Sequence, residues 1–293
     1  MNIAIIGSGV VGQATGMGFA THNQSVVFND IDNKKLLSLS AKGYKTTRDL
    51  KKAVQDSELI FVCVPTPTVN KKVDISYLWS ATKSIGTVLK KAKNFPVIVF
   101  RSTAPPQTTR TQLLPLLESF SRLKAGKDFG VCMNPEFLRE STPLDDFLNP
   151  DRIVIGELEE KSGDILERLY QPFNSPITRT SLDSAEMIKY ASNLFLATKI
   201  SFFNEIHMIC RELGLDSKVV GETVALDRRI GKYGTRGGKP FGGMCFPKDL
   251  AGFITFAKSK GVNPKLLEAV EEINMQITLY NSVNKDDSSC LIT

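Results

Sequence analysis

The sequence has no apolar run long enough to cross a bilayer. Its opening residues, Met1-Asn2-Ile3-Ala4-Ile5-Ile6, pass straight into a glycine loop, with no charged n-region and no apolar h-region of signal-peptide length. A membrane-embedded or exported protein is therefore not expected, and a cytoplasmic one is. Metal-like and framework-like cysteine spacing is missing too: the five cysteines are an odd number and lie far apart, which argues for reduced thiols, against a disulfide scaffold and against a metal site. A dense basic block is also missing. The 37 Lys+Arg against 31 Asp+Glu leave a net charge of +6 spread along the chain, so nucleic acid is not an expected partner, whereas a small anionic ligand is compatible. There is no internal repeat and no low-complexity tract.

What is present is ordinary globular material: 293 residues, 42% hydrophobic and 23% charged, enough for two cores. Up to about Gly156, short β-branched runs alternate with helical patterns, the rhythm of a parallel sheet. Strands are predicted at 2–6, 25–29, 58–64, 96–101, 129–133 and 152–155, and helical stretches at 75–91 and 108–120. The strands read as nearly continuous apolar runs, as they do when helices cover both faces of a sheet. From Leu182 the texture changes to one long helical period closed by Gly214, followed by shorter helices near 218–226, from about 248 and from 263. The fold expected is α/β: a doubly wound Rossmann sheet (1–181), then a long helix and a small all-helical central domain (182–277), then a disordered tail (278–293).

Gly7-Ser8-Gly9-Val10-Val11-Gly12 follows a buried-strand pattern and opens a helix, the context that gives G-x-G-x-x-G its meaning. Gly7 permits the tight turn, Gly9 lets the backbone approach a pyrophosphate, and Gly12 lets helix and strand pack closely, with Val11 beside them at the helix N-terminus. Asp30 closes the second strand eighteen residues after Gly12, placed to accept both ribose hydroxyls and to repel a 2′-phosphate. NAD is the expected cofactor. FAD uses the same fingerprint, and a glycine-rich turn beside a surface acid is the bland alternative.

The segment Phe241-Gly242-Gly243-Met244-Cys245-Phe246-Pro247-Lys248-Asp249 delivers a cysteine to a helix start, where the helix N-terminus and Lys248 both favour a thiolate. Cys63 and Cys132, in strand patterns, and Cys210, in a helix, read as packing residues. Around this segment, six motifs in order make the chain resemble the UDP-glucose 6-dehydrogenase and GDP-mannose dehydrogenase family from Met1 to about Ile277. They are Val64-Pro65-Thr66-Pro67, Ser102-Thr103-Ala104-Pro105, Asn134-Pro135-Glu136-Phe137-Leu138-Arg139-Glu140, Asn149-Pro150-Asp151-Arg152-Ile153-Val154-Ile155-Gly156, Ala185-Glu186-Met187-Ile188-Lys189-Tyr190-Ala191-Ser192-Asn193, and the Cys245 segment. The resemblance does not include the family's C-terminal nucleotide-binding domain.

The resemblance implies oxidation of a nucleotide sugar to its uronic acid with two molecules of NAD, through a thiohemiacetal and thioester on Cys245. It implies Glu136 as general base with Thr103 orienting the water, Lys189 and Asn193 stabilising oxyanion charge, and Asp249 orienting Lys189 or the water. Lys35, Thr66, Thr103, Glu140 and Lys248 match positions bordering the dinucleotide. Glu136, Phe137, Leu138, Arg139, Glu140, Lys189, Asn193, Gly234 and Gly242 match positions bordering the substrate. Arg229 resembles an arginine that reaches the substrate across a dimer interface, and the long helix implies a homodimer. Each has a plain structural alternative: a solvated helix face for Lys189 and Asn193, helix-end charge for Glu136 and Asp249, a turn for Thr103, a surface arginine for Arg229. Two further readings stay open: a two-electron β-hydroxyacid or sugar-acid dehydrogenase, which the Lys-x-x-x-Asn pair also resembles, and a non-catalytic NAD-binding protein.

Overall fold

The computed structural model describes residues 1–92 and 95–283, which divide into two compact units. Unit 1 holds 1–67 and 74–189; unit 2 holds 68–73 and the chain from Tyr190.

Unit 1 opens with β1 (Asn2–Ile6), α1 (Val10–Thr21), β2 (Ser25–Asn29), α2 (Asn33–Ala41), β3 (Lys45–Thr47), α3 (Leu50–Gln55) and β4 (Leu59–Val62). After a hairpin excursion, β5 (Thr68–Val69) and β6 (Lys72–Val73), come α4 (Ser76–Leu89) and β7 (Val97–Phe100). A π-helical turn, Thr109–Leu113, then leads into α5 (Leu114–Ser121), β8 (Gly130–Met133), α6 (Pro143–Leu148), β9 (Ile153–Glu157), α7 (Glu160–Tyr170) and β10 (Ile177–Ser181). Eight strands form one sheet in the order β10-β9-β8-β7-β4-β1-β2-β3. The chain runs outward from β1 in both directions, so the switch point lies between β1 and β4, and the crevice beyond their carboxyl ends is the place where such sheets take ligands.

Alternate residues of the central strands enter two separate cores, one on each face. Ile3, Ile5, Leu59, Phe61, Val97 and Val99 belong to one; Ala4, Ile6, Ile60, Val62, Ile98 and Phe100 belong to the other. A strand wet on one face would need polar residues at every second position, and these have none. Each fully buried Ile or Phe stabilises the fold by about 1.5–3 kcal/mol relative to exposure.

Two features depart from the sequence expectation. All strand pairs of the large sheet are parallel except β8 with β9. The connecting chain turns onto α6, which lodges Phe147 against α1 where a Cβ on Gly18 would lie 2.1 Å from the ring, and it re-enters the sheet in the opposite sense. The stretch read as one helix over 108–120 begins as the π-helical turn before continuing as α5.

Unit 2 carries most of α8 (Leu182–Glu212, 31 residues), with α9 (Ser217–Val224), α10 (Phe246–Ser259) and α11 (Lys265–Val283). It also takes in the β5–β6 hairpin, so it is helical with one small antiparallel ribbon. Asn70 and Lys71 both adopt positive φ, the pair that a tight two-residue hairpin turn demands. The hairpin lies on α10, with Thr68 donating to the Lys248 carbonyl at 2.9 Å and a Cβ on Gly252 falling 2.6 Å from Val73. The tail expected from 278 is helical as far as Val283, and residues 284–293, Cys290 among them, lie outside the described ones. Among the described residues no helix is long and apolar enough to cross a membrane, and no cluster of ligating side chains could hold a metal.

Candidate active site

The glycine loop sits at the carboxyl end of β1. Gly7 has φ +95°, and a Cβ there would lie 2.7 Å from the Cys63 carbonyl of β4's continuation. A Cβ on Gly12 would lie 2.0 Å from the Gly7 carbonyl, whereas one on Gly9 would meet nothing within 4 Å. Gly7 and Gly12 are therefore required by the protein's own packing; Gly9 leaves open space beside the N-terminus of α1, the opening an incoming pyrophosphate needs. Ser8 is fully buried, and its Oγ has no hydrogen-bond partner in the protein. Asp30 is buried at the end of β2, accepting from the Ser8 amide at 2.6 Å and the Asp32 amide at 2.8 Å, with Lys35 at 3.7 Å. These residues fit a dinucleotide. Thr66 is buried, Val11 and Thr103 half-buried, and Glu140 exposed.

Unit 1 brings Glu136 and Lys189 together. Both are buried, and Lys189 Nζ donates to Glu136 Oε1 at 2.6 Å and to the Glu136 carbonyl at 2.8 Å. The other oxygen, Oε2, accepts from the Leu138 amide at 2.7 Å. Burial pushes the Glu136 carboxyl up, but the charge and hydrogen bond of Lys189, the Leu138 amide and the charge of Arg101 outweigh it, and the group lies below its ordinary value. The Arg152 guanidinium lies over the Phe137 ring at 4.0 Å from its centroid and the Lys189 ammonium at 5.7 Å. Arg139 is spent on Asp146, which takes both its backbone amide and its guanidinium.

Unit 2 brings together Asn193, Lys248 and Asp249. Asp249 is buried in the first turn of α10; its Oδ2 accepts from Asn193 Nδ2 at 2.7 Å and its Oδ1 from Lys248 Nζ at 2.5 Å. Asp249 thus orients Asn193 and Lys248, while the ammonium of Lys189 is held by Glu136. Cys245 is half-buried at the N-cap of α10, its carbonyl accepting from the Asp249 amide at 2.9 Å. The other described cysteines are buried free thiols; burial pushes Cys63 up to about 12 and raises Cys132 well above its ordinary value, so both are inert at neutral pH. Arg229 is exposed and bonded to Asp227, and Arg236 is paired with Glu222. Gly234, at φ +71°, lies against Ile200 of α8, and Gly242 is open.

Several positions that shape the site are absent from the sequence expectation. Arg101, buried after β7, donates to the Asn134 carbonyl and Oδ1 and to the Tyr170 hydroxyl, fixing the turn that leads to Glu136. Asn204, fully buried in α8, accepts from the Gly238 and Lys239 amides, and Asn274 in α11 bonds both the amide and the carbonyl of Phe241. Asparagines at inward positions of otherwise apolar helix faces were the available signal.

Two family models match the chain: the NAD binding domain of the UDP-glucose/GDP-mannose dehydrogenase family over residues 37–174, and the central domain of the same family over residues 183–276. UDP-glucose 6-dehydrogenase TuaD of Bacillus subtilis is 40% identical across 93% of the chain, which spans 62% of that relative's length. GDP-mannose 6-dehydrogenase of Pseudomonas aeruginosa is 35% identical across 94% of the chain, which spans 68% of it. Among solved structures, a UDP-glucose dehydrogenase from Pyrobaculum islandicum superposes with a TM-score of 0.89 at 32% identity, covering 97% of this chain and 71% of that one. A ternary complex of GDP-mannose dehydrogenase from Pseudomonas aeruginosa does so with a TM-score of 0.77 at 33% identity, covering 98% and 72%.

Proposed function

The chain belongs to the UDP-glucose/GDP-mannose dehydrogenase family, and from that membership we propose that it carries out the NAD-dependent, four-electron oxidation of a nucleotide sugar to its uronic acid. The observation that carries the reading is Cys245 at the N-terminus of α10. A two-electron alcohol oxidation has no use for a nucleophile there, whereas a double oxidation needs one to hold the aldehyde.

NAD, when bound over Gly7, Gly9, Gly12 and Asp30, supplies a hydride acceptor for each of the two oxidations. The protein's own groups do the rest. Asn193 donates a hydrogen bond to the reacting oxygen and Lys189 offsets its developing negative charge, the two standing one turn apart on α8. The Cys245 thiolate adds to the aldehyde carbon, and the resulting alkoxide takes a proton to give a thiohemiacetal. Loss of hydride and proton from this adduct leaves a thioester. Water, oriented by Thr103 and relieved of its proton by Glu136, cleaves the thioester to the carboxylate and returns the thiol. Asp249 positions Asn193 and Lys248, and the strip Phe137 to Glu140 with Gly234 and Gly242 borders the sugar nucleotide.

The reading includes a homodimer. Phe195, Phe202 and Ile209 lie seven residues apart on α8 and are 67, 52 and 50% exposed, an apolar stripe about 21 Å long. A contiguous exposed apolar face of this kind marks an interaction surface, and Arg229, already exposed, is the residue the pairing would carry to a neighbouring site. Among the described residues the cysteines are thiols rather than disulfides, which fits a cytoplasmic setting.

The test is a panel of UDP-glucose, UDP-N-acetyl sugars, GDP-mannose and free sugar phosphates with NAD. Turnover of one sugar nucleotide and none of the free phosphates supports the reading; NAD binding without turnover of any overturns it.

A further inference from the structure

Glu186 has no role in the chemistry above, yet it is fully buried in α8, one turn before Lys189. Its Oε1 accepts from the Thr109 amide at 2.8 Å and from the Thr109 hydroxyl at 2.7 Å, and the carboxyl also hydrogen-bonds the backbone of Gln107. Gln107 is held at φ +76°, a conformation that a non-glycine residue keeps only when its surroundings over-determine it. Thr109 begins the π-helical turn, a local rearrangement that recurs at working sites. The loop from Ser102 to Thr109, which carries Thr103, is thus pinned twice. At its start Ser102 Oγ donates to the Val64 carbonyl at 2.7 Å; at its end Glu186 holds Gln107 and Thr109.

The same turn of α8 therefore faces two loops with opposite charges. Glu186 grips the loop bearing Thr103, and Lys189, three residues on, grips Glu136 at 2.6 Å. We propose that Glu186 is a positioning residue that fixes Thr103 against Glu136 and Lys189 by tethering the Gln107–Thr109 end of its loop to α8. Burial pushes the Glu186 carboxyl up to about 7, and both Thr109 bonds converge on its acceptor oxygen Oε1. Asp183, on the same helix, is occupied by Arg110. The proposal rests on the reading that Thr103, Glu136 and Lys189 act together, but the tether itself can be read without turnover.

The experiment compares wild type, E186Q, E186L and T109V by amide hydrogen exchange over 104–112 and by steady-state kinetics, with melting curves to establish folding. E186Q keeps an acceptor oxygen; E186L removes it. The expected result is loss of Thr109 protection in E186L with a fall in kcat of about 100-fold, the scale of an ångström's misplacement, at unchanged KM for NAD, and recovery of both in E186Q. If E186L does not fold, T109V, which removes only the hydroxyl donor, carries the test through a smaller fall in kcat at unchanged KM. A folded E186L or T109V with wild-type exchange and kcat overturns the proposal. A wild-type chain that turns over no sugar nucleotide overturns the positioning role together with the functional reading, even where exchange shows the tether intact.

Discussion

Lys189 and Glu136 are where charge, burial and function meet. Taking two charges out of water costs several kcal/mol each, and only the direct contact with its supporting bonds to the Leu138 amide and the Glu136 carbonyl offsets that. Removing one partner leaves the other buried and alone. Lys189→Met is expected to lower stability by about 3–5 kcal/mol near neutral pH, read as a drop in denaturant midpoint. The sign with pH follows from the depressed Glu136 carboxyl: its contribution is present above the unfolded carboxylate value and is lost as pH falls through the lower folded value. The gap between wild type and variant should therefore narrow on acidification. A gap constant down to acid pH would mean that the lysine stem, not the ion pair, carries the cost.

At the scale of elements, the β1–loop–α1 unit separates residues required by the fold from those required by a ligand. Gly12→Ala forces a Cβ to within 2.0 Å of a carbonyl, and overpacking of this kind costs about 1–3 kcal/mol. Gly9→Ala meets nothing. The expected outcome is a lowered melting temperature for G12A and a wild-type one for G9A, with NAD affinity weakened in both by titration calorimetry. A G9A protein that binds NAD normally would show that the loop does not approach the pyrophosphate. This unit was legible in the sequence because its signals are local: a buried-strand run, three glycines at fixed spacing, an acid at the end of the next strand. The β5–β6 hairpin and the antiparallel entry of β9 were not legible. Each depends on what a segment packs against, Gly252 on α10 in one case and α6 beside Gly18 in the other, and neither contact has a signature in the segment's own residues. Glu186 escaped for the same reason, since an acid in a helix reads as solvated until its burial is known.

At the scale of the whole molecule, Glu136 and Lys189 belong to one compact unit and Cys245, Asn193 and Asp249 to the other. The motifs were legible one by one; their partners were not, and Asp249 is committed to Asn193 and Lys248. The α8 stripe makes a prediction at this scale. Phe202→Glu, at an exposed position that burdens the isolated chain little, should shift the protein from dimer to monomer by light scattering; a wild-type chain already monomeric at working concentration would remove the stripe's proposed partner. The central claim, that Cys245 couples two oxidations, is tested most directly by counting NADH released per nucleotide sugar consumed. Two per sugar for the wild type, with the second oxidation lost in Cys245→Ser, is the predicted result; one per sugar, unchanged by that substitution, would contradict it.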